Sequence, residues 1–344
     1  MDRLRKQLFQ IFIWKRKIDI YELIPKIDFD LFKILKSLKS FNYRKALQIY
    51  KDKTSIIKKI NLNKITCSTC NGRGYVFDKF FENIYKQFKE IYKNRPVNLP
   101  EFDQGSILED DVIKRVEFIY ERGDLLNSDI LVIGDDDLIS IALGLTKLPK
   151  KIYVLEIDKR IINYIETYTN KLNLPIKTLK YDARNSLPKE LINRFDIFIT
   201  DPPETLKALK IFLSRGIKSL KKQGSGYFGL TTIEASLNKW LEIERFITDK
   251  GFVITDIKRN FSVYPLSPND KEWEYYYPTI PVFKKIGKPK IRNWYHSSFI
   301  RIEKIKNIKI KNVQYKTKPR DFYVDKENLF TPVVEDYKNL ESFS

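Results

Sequence analysis

The sequence predicts an α/β fold: a doubly wound parallel sheet with a small helical domain ahead of it. Three observations predict it. Apolar runs at Asp129–Ile133, Ile152–Leu155 and Phe195–Thr200 have the length and continuity of strands buried on both faces. Longer amphipathic stretches separate them, and strands alternating with helices build parallel sheets. Each run also leads into acids: Gly134-Asp135-Asp136-Asp137, Glu156-Ile157-Asp158 and Asp201-Pro202-Pro203-Glu204-Thr205. In open α/β sheets ligands bind beyond the carboxyl ends of the strands. These carboxylates should therefore converge on one crevice.

The elements follow in order. Ile18 to about Asn98 reads as helical, with Leu31, Phe32, Ile34, Leu35 and Leu38 on one face and Phe77, Phe80, Phe81, Ile84, Tyr85 and Phe88 on another. A short ribbon around Tyr75-Val76-Phe77 would make residues 1–98 winged-helix-like. Arg95-Pro96-Val97-Asn98-Leu99-Pro100 reads as a linker. The sheet domain spans 99–320 and opens on a helix from Val112 to Arg122. Strand one, Asp129–Ile133, leads to a helix from near Asp137 to before Pro149. Strand two, Ile152–Leu155, leads to a helix from Asp158 to about Leu172. Strands three and four are Ile176–Lys180 and Phe195–Thr200. A helix from about Glu204 to Lys221 is broken by Gly224-Ser225-Gly226. Strand five is Tyr227–Thr231, followed by a helix from Ile233 to Asp249 and strand six, Phe252–Ile257. Ser297–Ile302 supplies an antiparallel seventh strand. Residues 321–344 read as a flexible tail that can fold on ligand.

The 344 residues carry a formal net charge of +20, and the charge is uneven. Residues 1–100 hold 23 Lys+Arg against 9 Asp+Glu, and residues 281–320 hold 13 against 1. Residues 134–204 hold 11 of each. An acid-focused, neutral centre in a basic chain suits a cationic small molecule. The basic ends fit either a lysine-rich solvated surface or contact with nucleic acid. A hydrophobic share of 42% and an aromatic share of 14% allow a packed core. No apolar run is long enough to span a bilayer, and Met1–Ile20 lacks the form of a secretory signal. Two cysteines fit a reducing cytoplasm. The abundance of Lys with few Met, His and Cys is compatible with a thermophile, and an AT-rich genome biases codons the same way.

The acidic blocks carry the chemistry. Glu156 lies 22 residues after Gly134, where dinucleotide and adenosyl ligands have their ribose hydroxyls gripped. Asp182 follows strand three, where an adenine amino group is met. Asp158 can cap the helix after it. Three adjacent aspartates in the first loop would repel a pyrophosphate, so NAD, FAD and nucleoside triphosphates are excluded, whereas a sulfonium is attracted. Asp201-Pro202-Pro203 lies where adenosylmethionine-type enzymes place the acceptor. Enzymes that methylate amino groups of nucleic acids carry an aromatic residue after the second proline to stack on a flipped base. Glu204 stands there instead and can hold an ammonium group. That turns the reading from nucleic acid toward an aliphatic polyamine. The alternative is an adenosylmethionine-dependent methyltransferase on nucleic acid or protein.

Gly134-Asp135-Asp136-Asp137 together with Asp201-Pro202-Pro203-Glu204-Thr205 resembles the branched-chain polyamine synthases, or N(4)-bis(aminopropyl)spermidine synthases. Phe102-Asp103-Gln104-Gly105 and Tyr120-Glu121-Arg122-Gly123-Asp124-Leu125 also look like family stretches, over roughly residues 20–320. The resemblance implies a methyltransferase-like Rossmann sheet behind a small helical domain, and an aminopropyltransferase. The aminopropyl group would pass from decarboxylated S-adenosylmethionine, a co-substrate with no resident cofactor, to the central secondary amine of spermidine. A second transfer would give the quaternary product, and each transfer would release methylthioadenosine. It points to Asp137 at the reacting amine, with Asp135, Asp136, Asp201 and Glu204 holding ammonium groups. Gly134, Glu156, Asp158, Asp182 and Gln104 would face the donor. A homodimer is the expected assembly.

Three features stand aside. Cys67 and Cys70 have half of a zinc ribbon's spacing without two further ligands, so no metal is expected. Tyr264–Tyr277 interleaves acids with aromatics and suits either a polyamine lid or ordinary core packing. His296, the one histidine, reads as structural and leaves no base for a Ser or Cys nucleophile.

Overall fold

The structure of the chain, a computed structural model, describes residues 3–14, 18–24, 31–51, 54, 77–265, 287 and 293–327. Cys67 and Cys70, the ribbon residues Tyr75 and Val76, and most of the stretch from Tyr264 to Tyr277 lie outside the described residues.

The sheet is seven-stranded, in the order β3-β2-β1-β4-β5-β7-β6. Its strands are β1 (Asp129–Ile133), β2 (Lys151–Glu156), β3 (Ile176–Lys180), β4 (Phe195–Thr200), β5 (Leu220–Thr231), β6 (Phe252–Tyr264) and β7 (Tyr295–Lys304). The first five pair in parallel, and β7 runs antiparallel between β5 and β6. This is the methyltransferase-like Rossmann sheet. The strand order reverses between β1 and β4, so the crevice opens beyond the ends of those two strands. Both carry acidic motifs.

Among the described residues the helices ahead of the sheet are α1 (Arg3–Trp14), α2 (Ile20–Leu23), α3 (Leu31–Ser40), α4 (Tyr43–Ile49), α5 (Lys79–Tyr92) and α6 (Glu109–Glu121). Leu4, Leu8, Leu23 and Ile34 form a small core of their own. Phe81, Ile84 and Phe88 of α5 pack instead into the sheet domain's core, while Phe80 faces solvent. Within the sheet domain, α7 (Ile139–Leu145), α8 (Lys159–Leu172), α9 (Leu206–Ser219) and α10 (Leu237–Asp249) alternate with the strands. Asp158, Thr205 and Ser236 cap α8, α9 and α10 by accepting from main-chain N–H groups.

Two expectations need correction. Gly224-Ser225-Gly226 lies inside β5 and does not break a helix after Lys221, because α9 ends at Ser219 and β5 starts at Leu220. The glycines serve packing. A Cβ on Gly226 would lie 2.3 Å from the Phe198 ring, and one on Gly224 would lie 2.8 Å from the Asp196 carbonyl. The pairing of β4 with β5 also shifts between Phe195 and Ile197, which places the first residues of β5 off the regular ladder. Secondly, the tail expected to be flexible from residue 321 begins as a packed element. A short helix, α11 (Pro319–Tyr323), buries Phe322 and Tyr323 against Ala183, Ala208 and Ile211. Thr205 Oγ1 donates to the Phe322 carbonyl at 2.7 Å, and Lys239 pairs with Asp325 at 2.8 Å.

Gly226→Ala should cost roughly 1–3 kcal/mol or more of stability, since the added methyl meets an aromatic ring fixed on both sides. Denaturant unfolding would check it, and adding Phe198→Leu should recover part of the loss. An unchanged midpoint in the single variant would contradict this packing.

Candidate active site

The carboxyl end of β1 turns sharply at Gly134, whose φ of +73° is a conformation that other residues rarely adopt. Leu138 takes φ +54° at full burial, and between them the three aspartates point in different directions. Asp135 turns inward. Its N–H donates to Glu156 Oε2 at 2.7 Å and its Oδ1 accepts from Ser140 N at 3.2 Å. Asp135, not Asp137, therefore serves the first turn of α7. Its Oδ2 is buried without a hydrogen bond to the chain. Asp136 accepts from Gly105 N at 3.0 Å, and Asp137 accepts from Ile107 N at 2.7 Å. The segment from Gln104 to Ile107 thus lies across the motif, with Ser106 Oγ bonding Asn98 Oδ1 at 2.7 Å.

At the end of β4, Asp201 Oδ2 receives the Tyr264 hydroxyl at 3.0 Å and Arg115 Nη1 at 2.9 Å. The same Nη1 lies 3.4 Å from Asp137 Oδ2. Gly229 of β5 gives Asp201 its room, since a Cβ there would sit 1.9 Å from Asp201 Oδ1. Glu204 accepts from Thr231 N at 2.6 Å and from Thr231 Oγ1 at 2.5 Å. So the loops after β1 and β4 hand their acids to one crevice, where Gly229 and Thr231 of β5 receive Asp201 and Glu204.

The electrostatics bear out that convergence. Burial, then Asp201, pushes Asp136 up to about 6. Burial and Asp136 push Asp137 well above the usual carboxylate range, while Arg115 pulls it down. Burial also raises Asp135 strongly, takes Glu156 to about 7 and takes Glu204 to about 8, where Glu234 and Asp201 add to the effect. Tyr264 and Tyr295 line the same place. Their rings meet edge-on at 5.0 Å, and both hydroxyls are held far above their ordinary range by burial and by surrounding acids.

On the donor side the placement is mixed. Glu156 ends β2 and accepts from the N–H groups of Asp135, Ile157 and Asp158 at 2.7–2.9 Å. Asp158 is committed to its own helix: Oδ1 caps α8, and Oδ2 receives Arg160 Nη2 at 2.5 Å and Gln104 Nε2 at 3.0 Å. Burial opposes its ionisation, but these bonds hold it below the ordinary value. Gln104 also accepts from Leu99 N, so both ends of its amide are used. Asp182 is gripped by Arg184 Nε and Nη2 at 2.6–3.0 Å. In both cases an arginine two residues further on folds back over the carboxylate. The family-like stretch ending at Leu125 is structural too: Asp124 Oδ2 accepts from Tyr227 OH and Arg301 Nε, tying the turn after α6 to β5 and β7. His296 sits in β7 opposite Val263.

Sequence reasoning missed Arg115, Tyr295, Glu234 and Gly229. Arg115 left a trace: it stands in α6 among Val112, Ile113, Val116 and Ile119, which are all buried, where a helix should be wholly apolar. Glu234 and Tyr295 belong to no motif.

A family model, the branched-chain polyamine synthase A C-terminal domain, matches residues 83–329. The chain belongs to the branched-chain polyamine synthase family. It is 46% identical over 249 residues to N(4)-bis(aminopropyl)spermidine synthase of Methanocaldococcus jannaschii, covering 70% of this chain and 68% of that protein. The same-named protein of Thermococcus kodakarensis is 42% identical over 252 residues, covering 71% and 69%. In structure, the chain superposes on the branched-chain polyamine synthase C9 mutein of Thermus thermophilus, solved with N4-aminopropylspermidine and 5'-methylthioadenosine. The TM-score is 0.76 at 27% identity, over 95% of this chain and 93% of that one. The match to this family begins at Asn83, within α5, and takes in every acidic motif of the crevice.

The raised acids make a stability prediction. A carboxyl whose folded-state value exceeds its unfolded value favours the fold at low pH, and that contribution is lost as pH rises through the folded value. For Asp136, Glu156 and Glu204 the window is about pH 4–8. The ligand-free protein should melt several degrees lower at pH 8.5 than at pH 5.5, at about 1.4 kcal/mol per unit of upward displacement. Scanning calorimetry across that range checks it. A midpoint that rises with pH would show the acids to be compensated.

Proposed function

We propose that the chain is an aminopropyltransferase that converts spermidine to N(4)-aminopropylspermidine and then to N(4)-bis(aminopropyl)spermidine, with decarboxylated S-adenosylmethionine as donor. The observation that carries this reading is the gathering of Asp136, Asp137, Asp201 and Glu204 beyond the carboxyl ends of the central strands β1 and β4, in a chain of this family. Both substrates are cations. Carboxylates in a cleft of low dielectric hold them together against their mutual repulsion.

The chemistry balances on the atoms involved. The lone pair of the acceptor nitrogen attacks the aminopropyl carbon bonded to sulfur, and a new C–N bond forms. The C–S bond breaks, its electron pair stays on sulfur, and the sulfonium becomes the neutral thioether of methylthioadenosine. In the first transfer the secondary amine loses its proton and ends as a tertiary amine. In the second, the tertiary amine ends as a quaternary ammonium without losing a proton. We assign Asp137 to the reacting nitrogen, as proton acceptor in the first transfer and as counter-charge in both. Asp136, Asp201 and Glu204 hold the ammonium arms, with Tyr264 and Tyr295 as aromatic walls. Glu156 takes the ribose hydroxyls with its remaining lone pairs. Asp135 stands behind Glu156 and sets it through its N–H, while Gln104, Asp158 and Asp182 shape the donor side through their own arginine and amide contacts. The same reading takes the chain to be a cytoplasmic homodimer acting on small molecules, with no resident cofactor. Among the described residues no helix is long and apolar enough to cross a membrane.

Incubation with decarboxylated S-adenosylmethionine and spermidine, followed by chromatography, should yield methylthioadenosine and both branched products. Asp137→Asn should lower kcat by about 10²–10⁴. The fold should be retained, checked by circular dichroism, because an amide oxygen can still accept from Ile107 N and Arg115 keeps its partner Asp201. Methyl transfer from S-adenosylmethionine without aminopropyl transfer would overturn the reading, and a near-normal rate in Asp137→Asn would overturn the residue's role.

A further inference from the structure

Deep beside the acidic motifs lies a guanidinium that belongs to neither of them. Arg115 is 2% exposed. A charge so buried needs every donor satisfied. Nη1 meets Asp201 Oδ2 at 2.9 Å and Asp137 Oδ2 at 3.4 Å. Nε donates to Ser262 Oγ at 2.9 Å and Nη2 donates to Ser297 Oγ at 3.4 Å. The plane lies over the Phe299 ring at 4.8 Å. Contacts from the β1 loop, the β4 loop, β6 and β7 therefore fix one side chain in one pose. A lysine, with a compact head and no plane, could not reproduce that set.

We propose that Arg115 is a positioning residue for the transfer: it holds Asp137 and Asp201 as one fixed pair and offsets their charge where the acceptor nitrogen must give up its proton. This inference rests on the aminopropyltransferase reading above. A crevice lined only with carboxylates would bind a polyamine well and react with it badly. Each acid favours the protonated amine, and a protonated amine has no lone pair. The structure avoids this by unequal compensation. Asp136 and Glu204 receive neutral donors, Gly105 N and Thr231, which leaves them to pair with ammonium arms. Asp137 and Asp201 receive the guanidinium. The groups facing Asp137 are Asp135 and Asp136 from its own loop, Arg115 from α6, Asp201 from the β4 loop, Tyr264 from β6 and Tyr92 from α5. Arg115 is the cation among them, and it pulls Asp137 down toward the range in which a carboxylate can accept a proton.

The test is a pH–rate profile with decarboxylated S-adenosylmethionine and spermidine, for the wild-type chain, Arg115→Lys, Arg115→Gln and the double variant Ser262→Ala/Ser297→Ala. Arg115→Lys keeps the charge and loses the fork. It should lower kcat about ten- to a hundredfold, with KM for spermidine within about threefold, and leave the acid limb in place. Arg115→Gln removes the charge, so Asp137 ionises only at higher pH and the acid limb of kcat/KM should move up by about one pH unit. The serine double variant frees the guanidinium without removing it and should lower kcat about tenfold at unchanged KM. It carries the test if Arg115→Gln does not fold. Wild-type kcat in Arg115→Lys or in the serine variant, or an unmoved limb in a folded Arg115→Gln, would overturn the role while leaving the reaction intact. A wild-type chain that releases no methylthioadenosine would overturn the reading and the role together.

Discussion

The site depends on keeping acids that repel one another beyond the carboxyl ends of the central strands. Isolated buried carboxylates cost several kcal/mol each in lost hydration. The chain offsets that cost with main-chain N–H groups more than with cations. Ser140, Gly105 and Ile107 donate to the three aspartates in turn, and Thr231 donates to Glu204. Glu156 takes three such groups. Neutral donors steady a carboxylate without cancelling its field, so the acids go on repelling one another and several are displaced toward neutrality. A dicationic or tricationic ligand then supplies what the fold withholds.

The choice of arginine partners divides the crevice. On the donor side an arginine two residues along folds over the acid, as Arg160 does on Asp158 and Arg184 on Asp182. Those arginines are part-exposed and local. Arg115 is different in kind: it comes from a helix ahead of the sheet, reaches two motifs that are 64 positions apart in the chain, and is walled in by β6 and β7. A helix outside the two acidic motifs thereby fixes how those motifs sit relative to each other.

The sheet was legible because parallel strands buried on both faces must be short, apolar and continuous; β1 and β4 fall on their expected bounds. The acidic motifs were legible for a related reason, since strand ends in this fold are ligand positions whatever their sequence. What escaped was long-range and non-repeating. The glycines before Tyr227 read as a break because local propensity cannot reveal that Phe198 needs their space. Asp158 and Asp182 read as ligand contacts because their arginines, though adjacent in sequence, pair only once the turn is formed. Glu234, Tyr295 and Arg115 lie outside every motif, and only the folding of β5, β7 and α6 around the crevice brings them near it.

One geometry can serve two chemically different additions. Either acceptor nitrogen must be free of its ammonium proton before it attacks, but only the first, a secondary amine, releases a further proton as the new bond forms. A site built solely around a base would serve the two steps unequally. What the two steps share is the movement of positive charge from sulfur to nitrogen as the C–S bond opens and the C–N bond closes. Fixed negative charge at the nitrogen end, with the sulfur end left to the adenosyl side, lowers the barrier for that movement in either case. Asp137 and Asp201 are held by one guanidinium, and in the proposed reading they supply such a fixed field. Their rigidity matters more than their basicity once the nitrogen is tertiary. A quaternary product keeps its charge at every pH and cannot leave by deprotonation. In the role proposed for it, Arg115 would by its partial compensation also limit how tightly the finished product is held, so that the pair proposed to promote both additions would not trap what they make.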